Sequence, residues 1–214
     1  VPLRVAVVTT RQFDQNTYVM GQSDRDEVVV VDPGFDSDRL LAHLTAKKLT
    51  VAAILLTHGH VDHIAGVERL KAFAPDAPIV IGRIDAPMLS DAALNLSAGF
   101  GVPVTSPPAE RLLDDGEVVE LAGLTFEVRH IPGHSPGSVV FVFTDDGAVI
   151  AGDVLFNGSV GRTDFPGGSS KQLLDGIRAK LYTLPGATRV FPGHGPPTTV
   201  GEELATNPFT REGA

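Results

Sequence analysis

His58, His60, Asp62 and His63 lie within six residues of one another in Thr57-His58-Gly59-His60-Val61-Asp62-His63, directly after the apolar run Val51-Ala52-Ala53-Ile54-Leu55-Leu56. Imidazole and carboxylate side chains both coordinate borderline divalent metals. The irregular path after a strand lets neighbouring residues point in different directions, so one short loop can serve two adjacent ions. A regular helix offers a different solution, the i, i+4 histidines of H-E-x-x-H, and that spacing is absent here. The competing account of such a run is a polar loop of solvated histidines.

Three further signals argue for metal. The seven histidines are His43, His58, His60, His63, His130, His134 and His194. Pro132-Gly133-His134-Ser135-Pro136-Gly137, Gly152-Asp153 and Pro192-Gly193-His194-Gly195 each follow a strand-like run. Glycine beside a candidate ligand permits the tight turn that brings a strand-end side chain into a shared site. One such signal is weak, but four strand ends of this kind form a constellation.

With these residues in view, the chain resembles the metallo-β-lactamase superfamily and, within it, the short hydrolases related to glyoxalase II, the hydroxyacylglutathione hydrolases. The resemblance runs from Asn16-Thr17-Tyr18 and Val31-Asp32-Pro33-Gly34 to Thr206-Asn207-Pro208-Phe209. Its most specific pieces are T-H-x-H-x-D-H and Gly161-Arg162-Thr163-Asp164-Phe165-Pro166-Gly167-Gly168. It implies an α/β fold, a four-layer αβ/βα sandwich with the metal site at one edge of its sheets.

The elements that must position these residues are partly readable. Strands are expected over Leu3 to Val8, Thr17 to Gly21, Glu27 to Val31 and Val51 to Leu56, with a helix at about Asp38 to Lys48 that packs Leu40, Leu41 and Leu44 on a sheet. A helix from about Ile64 to Phe73 follows the motif, then a buried strand at Pro78 to Gly82 and a helix over Asp85 to Ala98 with Pro87 in its first turn. Gly99 to Pro108 reads as a connection. Strands return at Val118 to Leu121, Leu124 to Ile131, Ser138 to Thr144 and Ala148 to Ala151. Ser169 or Ser170 caps a helix reaching about Tyr182, and strand Thr188 to Phe191 precedes a polar tail.

Composition narrows the function. A chain of 214 residues suffices for one domain spanning 1–214 with a sizeable core. The net charge of −9 argues against a nucleic-acid partner, because phosphate neutralisation needs a basic surface. No stretch approaches the roughly 20 apolar residues of a membrane span, and the start lacks a secretory pattern, so a cytoplasmic enzyme is expected. Cysteine is absent, which removes thiolate nucleophiles and thiolate ligands.

The resemblance implies a ligand set. His58, His60 and His134 would hold one ion, Asp62, His63 and His194 the other, and Asp153 would bridge them. Zinc is the first choice for both divalent ions, with iron or manganese as alternatives. A bridging water whose pKa falls toward roughly 7 would supply a hydroxide to attack a carbonyl. The expected partner is a small thioester, whose thiolate leaves without a dedicated acid. Asp62 and Asp153 are then the catalytic carboxylates, and Arg162 stands where relatives bind the thiol carrier's carboxylate, a task suited to a guanidinium. An ion pair with Asp164 is its alternative role. Asp32 is either a support for a ligand imidazole or a turn residue before Pro33-Gly34. His130 reads as a satisfied core histidine, and His43 as surface or packing.

Two departures bear on the substrate. Long glyoxalase II enzymes carry a C-terminal helical domain that helps grip glutathione, whereas about twenty residues follow His194 here, and Pro196 stands where they have tyrosine. A single-iron persulfide dioxygenase using His58, His134 and Asp153, and a lactone or β-lactam hydrolase on the same metal pair, remain open alternatives.

Overall fold

Period-two alternation in the strands decides the layering, because successive side chains leave a strand on opposite faces. In the computed structural model, which describes residues 1–211, β1 (Leu3–Thr9), β2 (Asn16–Gln22), β3 (Glu27–Val31), β4 (Thr50–Leu56), β5 (Ile79–Gly82) and β6 (Arg111–Leu113) form one sheet in that order. A second sheet joins β7 (Val118–Leu121), β8 (Leu124–His130), β9 (Val139–Phe143) and β10 (Ala148–Gly152) to two later strands. Between β10 and those strands lies a small hairpin, β11 (Leu155–Phe156) with β12 (Ser159–Val160). The later strands are β13 (Arg189–Pro192) and β14 (Thr198–Thr199), giving the order β14-β13-β10-β9-β8-β7. The last three residues of the span expected to form one domain lie outside the described residues.

Val29, Val31, Ala53 and Leu55 face inward to meet Phe126, Phe141, Phe143 and Ile150 of the second sheet. Their neighbours Val28, Val30, Ile54 and Leu56 face outward, against α1 (Ser37–Ala46), α2 (Val61–Ile64) and α3 (Val67–Phe73). On the far side Val140, Val142 and Val149 pack on α4 (Ser170–Gly176), its continuation Ile177–Leu181, and Val200 at the start of α5 (Val200–Thr206). Helix, sheet, sheet, helix is the four-layer sandwich expected from the sequence. No helix among the described residues is long and apolar enough to cross a membrane.

Several local expectations are corrected. The helix expected to run from Ile64 is broken at Gly66, whose N–H donates to Pro33 O at 2.8 Å; a Cβ there would stand 2.4 Å from Gly34 O. The helix expected over Asp85 to Ala98 is two short 3₁₀ turns, Ala86–Leu89 and Ser97–Phe100. Polar side chains win over helix propensity there. Asp91 Oδ1 accepts from Ala93 N and Leu94 N, Asn95 Nδ2 donates to Met88 O and Val104 O, and Leu96 turns left-handed at φ 72°. Within the described part of the polar tail, Thr199 caps α5, accepting from Glu202 N. Buried Glu203 then accepts from Gly158 N and Thr198 Oγ1, while Asn207 Nδ2 donates to Ser159 O, so α5 fixes the β11–β12 hairpin. Short β6, β11, β12 and β14 carry too little periodicity to be read from sequence.

Candidate metal centre

Parallel neighbours place the C-terminal ends of β3, β4 and β5 along one edge, and β10 and β13 do the same in the second sheet. Every candidate ligand leaves the chain at that edge. Thr57 to His60 form the loop after β4, and Asp62 and His63 sit in the first turn of α2. The β8–β9 connection carries His134, the residue after β10 is Asp153, and the loop after β13 carries His194.

These seven side chains converge. Donor atoms of His58, His60 and His134 lie within 4.8 Å of one another, as do those of His58, His63 and Asp153, and those of Asp62, His63 and His194. Asp153 faces both sides: Oδ1 is 3.3 Å from His63 Nε2, and Oδ2 is 3.4 Å from both His134 Nε2 and His194 Nε2. Asp62 Oδ2 is 3.2 Å from His194 Nε2. His60 Nδ1 stands 2.9 Å from His134 Nε2.

The ring nitrogens behind the cluster are engaged so that the front ones face inward. His134 Nδ1 donates to Arg162 O at 2.8 Å and His194 Nδ1 to Phe13 O at 2.9 Å, which turns each Nε2 toward the site. His63 Nδ1 lies 2.9 Å from Asp32 Oδ2. The two readings of Asp32 prove compatible. It turns the chain with φ 50°, which a short polar side chain tolerates, and its buried carboxylate accepts from Thr57 N at 2.8 Å and Thr57 Oγ1 at 2.7 Å. One carboxylate thus orients a candidate ligand and the start of the motif loop.

Electrostatics divides the cluster. Burial, then neighbouring His63, His60 and His134, push His58 well below the usual imidazole range. Burial and His134 bring His60 down to about 3. Burial also opposes charge on His63, yet Asp153, Asp62 and Asp32 outweigh it and raise that imidazole well above its usual value. For His194 burial is likewise outweighed, by hydrogen bonds to Asp153 and Asp62, giving about 10. Burial alone would raise Asp153, but His63 and His194 hold it well below the usual carboxylate range.

His58 Nε2, His63 Nε2 and Asp153 Oδ1 are buried without an aligned hydrogen-bond partner. Such orphans are uncommon in folded proteins, and three of them converging on one point call for a cation. Neutral imidazole and carboxylate are the donors that zinc or iron takes, so the residues present fit a divalent metal.

Close approach explains two glycines. A Cβ on Gly193 would sit 2.1 Å from Asp153 Oδ1, and one on Gly59 would sit 2.4 Å from Met88 Cβ. Asn16 and Tyr18 secure the loop after β13: Asn16 Nδ2 donates to Gly195 O at 2.8 Å and Tyr18 Oη to Pro192 O at 2.7 Å.

Sequence reading missed Asp85. Fully buried, it accepts from Gly59 N, Ser135 Oγ and Gly137 N at 3.3, 2.6 and 2.7 Å, tying the loop of His58 and His60 to that of His134. Burial raises its pKa despite those bonds. Nothing near Asp85 in sequence announces this, since both loops are distant along the chain. His130 is half-buried rather than core, stands outside the cluster and donates through Nε2 to Pro136 O at 2.9 Å. His43, on α1, is also apart from it.

Arg162 reaches the rim of the pocket over the cluster, but Asp164 holds it: Nε to Oδ1 is 3.0 Å and Nη2 to Oδ2 is 2.8 Å. Its clearest contribution to the site is the main-chain carbonyl that orients His134.

Fold and cluster together describe a metallo-hydrolase, and the chain belongs to the metallo-β-lactamase superfamily, whose family model matches residues 10–194. It is 40% identical to the probable metallo-hydrolase YqgX of Bacillus subtilis, over 86% of this chain and 87% of that protein. Identity to the hydroxyacylglutathione hydrolase GloC of Haemophilus influenzae is 32%, over 97% of this chain and 98% of GloC. Among solved structures, the BLEG-1 B3 metallo-β-lactamase superposes with TM-score 0.93 at 39% identity, covering 97% of this chain and 99% of its own. TTHA1623 in a di-iron-bound form superposes with TM-score 0.84 at 40% identity, covering 96% and 100%.

Proposed function

We propose that the protein hydrolyses a small thioester at a binuclear metal centre. The observation that carries this reading is Asp153, which presents one carboxylate oxygen toward His63 and the other toward His134 and His194. His58, His60 and His134 would hold one ion, and Asp62, His63 and His194 the other, with Asp153 shared between them. When bound, such a pair makes water nucleophilic near neutral pH and polarises a carbonyl. The chain's own residues then act by placement. Asp32 and the carbonyls of Phe13 and Arg162 fix three imidazoles in one tautomer and orientation. Asp62, which lines the pocket, would take up the proton that water loses on attacking the carbonyl. A thiolate, the conjugate base of a thiol with pKa about 8.5, departs without a dedicated acid.

The full-length similarity to GloC supports the thioester class. The likeness to BLEG-1 favours a second reading, opening of a β-lactam ring by the same groups. TTHA1623 supports iron beside zinc as a candidate for the pair. Metal analysis of freshly purified protein, followed by assays on thioesters and β-lactams, tests these readings. Close to two ions per chain and thioester turnover are expected. A single iron per chain with oxygen uptake would replace this reading by persulfide oxidation.

A further inference from the structure

Above the donor cluster lies a pocket of about 480 Å³, with walls formed by Phe13, Leu96, Phe100, Phe156, Val160 and Phe165. Phe165 packs edge-on to His60 and Phe156 edge-on to His194, so the apolar walls begin at the candidate ligands themselves. At the mouth, Phe13 stacks on Phe35 with centroids 5.8 Å apart and meets Phe100 edge-on at 5.7 Å. Phe13 and Phe100 nevertheless remain 49% and 61% exposed. Large aromatic rings left in water beside a reactive cluster offer binding surface that the fold does not use.

Phe13 adds a second observation. Its φ is 67°, a left-handed conformation that bulky residues rarely adopt. The loop is closed by Thr10 N donating to Gln15 O at 2.7 Å. In this conformation the Phe13 carbonyl accepts from His194 Nδ1 while its ring stands at the pocket mouth. One strained residue therefore joins the rim to the centre.

Charge supplies a third. Among the described residues lining the pocket, Arg162 is the one Lys or Arg, and the Nε–Nη2 edge of its guanidinium is paired with Asp164 while its face lies 4.6 Å from the Phe165 ring centroid. A carrier bearing a carboxylate at the rim would have to compete with Asp164 for the guanidinium. A neutral apolar group would meet aromatic faces.

We infer that the Phe13–Phe100 rim selects substrates carrying a neutral apolar group of about ring size beside the scissile bond, in preference to carboxylate-bearing peptide thiols. The inference rests on the hydrolase reading for its catalytic meaning, but its binding claim can be tested alone.

The test uses metal-loaded full-length protein and N-acetylcysteamine derivatives. Calorimetric titration should show the non-hydrolysable S-benzyl thioether binding at least about tenfold tighter than the S-methyl one, the scale set by burying a ring. Phe100→Ala should cut that ratio to about threefold or less. Phe100 is mostly exposed, so the variant should keep its fold and metal content, both checked directly; Phe13→Leu is the companion variant if it does not. In turnover, kcat/KM should fall in the order phenylacetyl, acetyl, succinyl thioester. Equal affinity for the two thioethers, or a benzyl advantage untouched in both variants, overturns the proposal. Benzyl selectivity without any thioester turnover upholds the rim and overturns the thioester reading instead.

Discussion

The floor and the mouth of the pocket are built on opposite principles. At the floor His58, His63 and Asp32 are almost wholly buried, and each supporting carboxylate is spent on several partners. At the mouth Phe13, Phe100 and the Arg162–Asp164 pair stand in solvent and hold one another. A buried polar network is unforgiving, since removing one member leaves the others desolvated and unpaired. Exposed aromatics and surface ion pairs can change at little cost to folding. On the proposed function, the contrast assigns reaction chemistry to the floor and the choice of substrate to the mouth.

Substitutions graded from floor to mouth can break this comparison. Asp153→Ala should have the largest effect, because it removes the shared carboxylate. Metal content should fall below two ions per chain and kcat/KM by about a thousandfold or more, given the several kcal/mol that metal-centred chemistry supplies. Near-normal turnover with a full metal complement would remove Asp153 from the site.

Asp32→Ala comes next. It strips His63 of its orienting partner and Thr57 of two acceptors, so metal affinity measured by chelator competition should drop about 10–100-fold. Unchanged affinity would reduce Asp32 to a turn residue.

Asp85→Asn keeps the shape but replaces one acceptor oxygen with a donor that faces either Gly137 N–H or both Ser135 Oγ and Gly59 N–H. We expect a loss of about 1–3 kcal/mol in denaturant unfolding, with weaker metal retention as the loops of His58 and His134 part. Wild-type stability would show that other contacts set the loop spacing.

The smallest effects belong to the mouth. Arg162→Ala should change stability by about 0–1 kcal/mol, as for exposed ion pairs. It should raise KM only slightly for neutral and carboxylate-bearing thioesters alike. Asp164→Ala is the sharper probe, since it frees the guanidinium. KM for a carboxylate-bearing thioester should then fall relative to a neutral one. A large, carboxylate-specific KM increase in Arg162→Ala would show that substrate displaces Asp164, and would blur the distinction between floor and mouth.

Much of the floor was legible because its groups are local in sequence. Four donors share one seven-residue motif, and the other three each sit beside a glycine at a strand end. Continuous apolar runs in β3, β4 and β9 likewise declared strands buried on both faces. The connection between β5 and β6 was misread, because hydrogen bonds from Asp91 and Asn95 compete with a helix in ways that residue propensity does not capture. Asp85 stayed hidden for a related reason: its three donors come from Gly59, Ser135 and Gly137, far away along the chain.

By itself the sequence determined the donor types, their grouping at strand ends, the absence of cysteine ligands and the layered α/β class. The donors and their grouping follow from residue chemistry, and the layered class is what the resemblance to the metallo-β-lactamase superfamily implied. Only the tertiary structure decided which way each imidazole faces, that Asp153 looks to both sides, and that Arg162 is held by Asp164 at an aromatic mouth. Those properties depend on distances between residues up to 181 positions apart, as between Phe13 and His194. Such distances are set when the two sheets pack, because that packing brings the strand ends of both sheets to one edge.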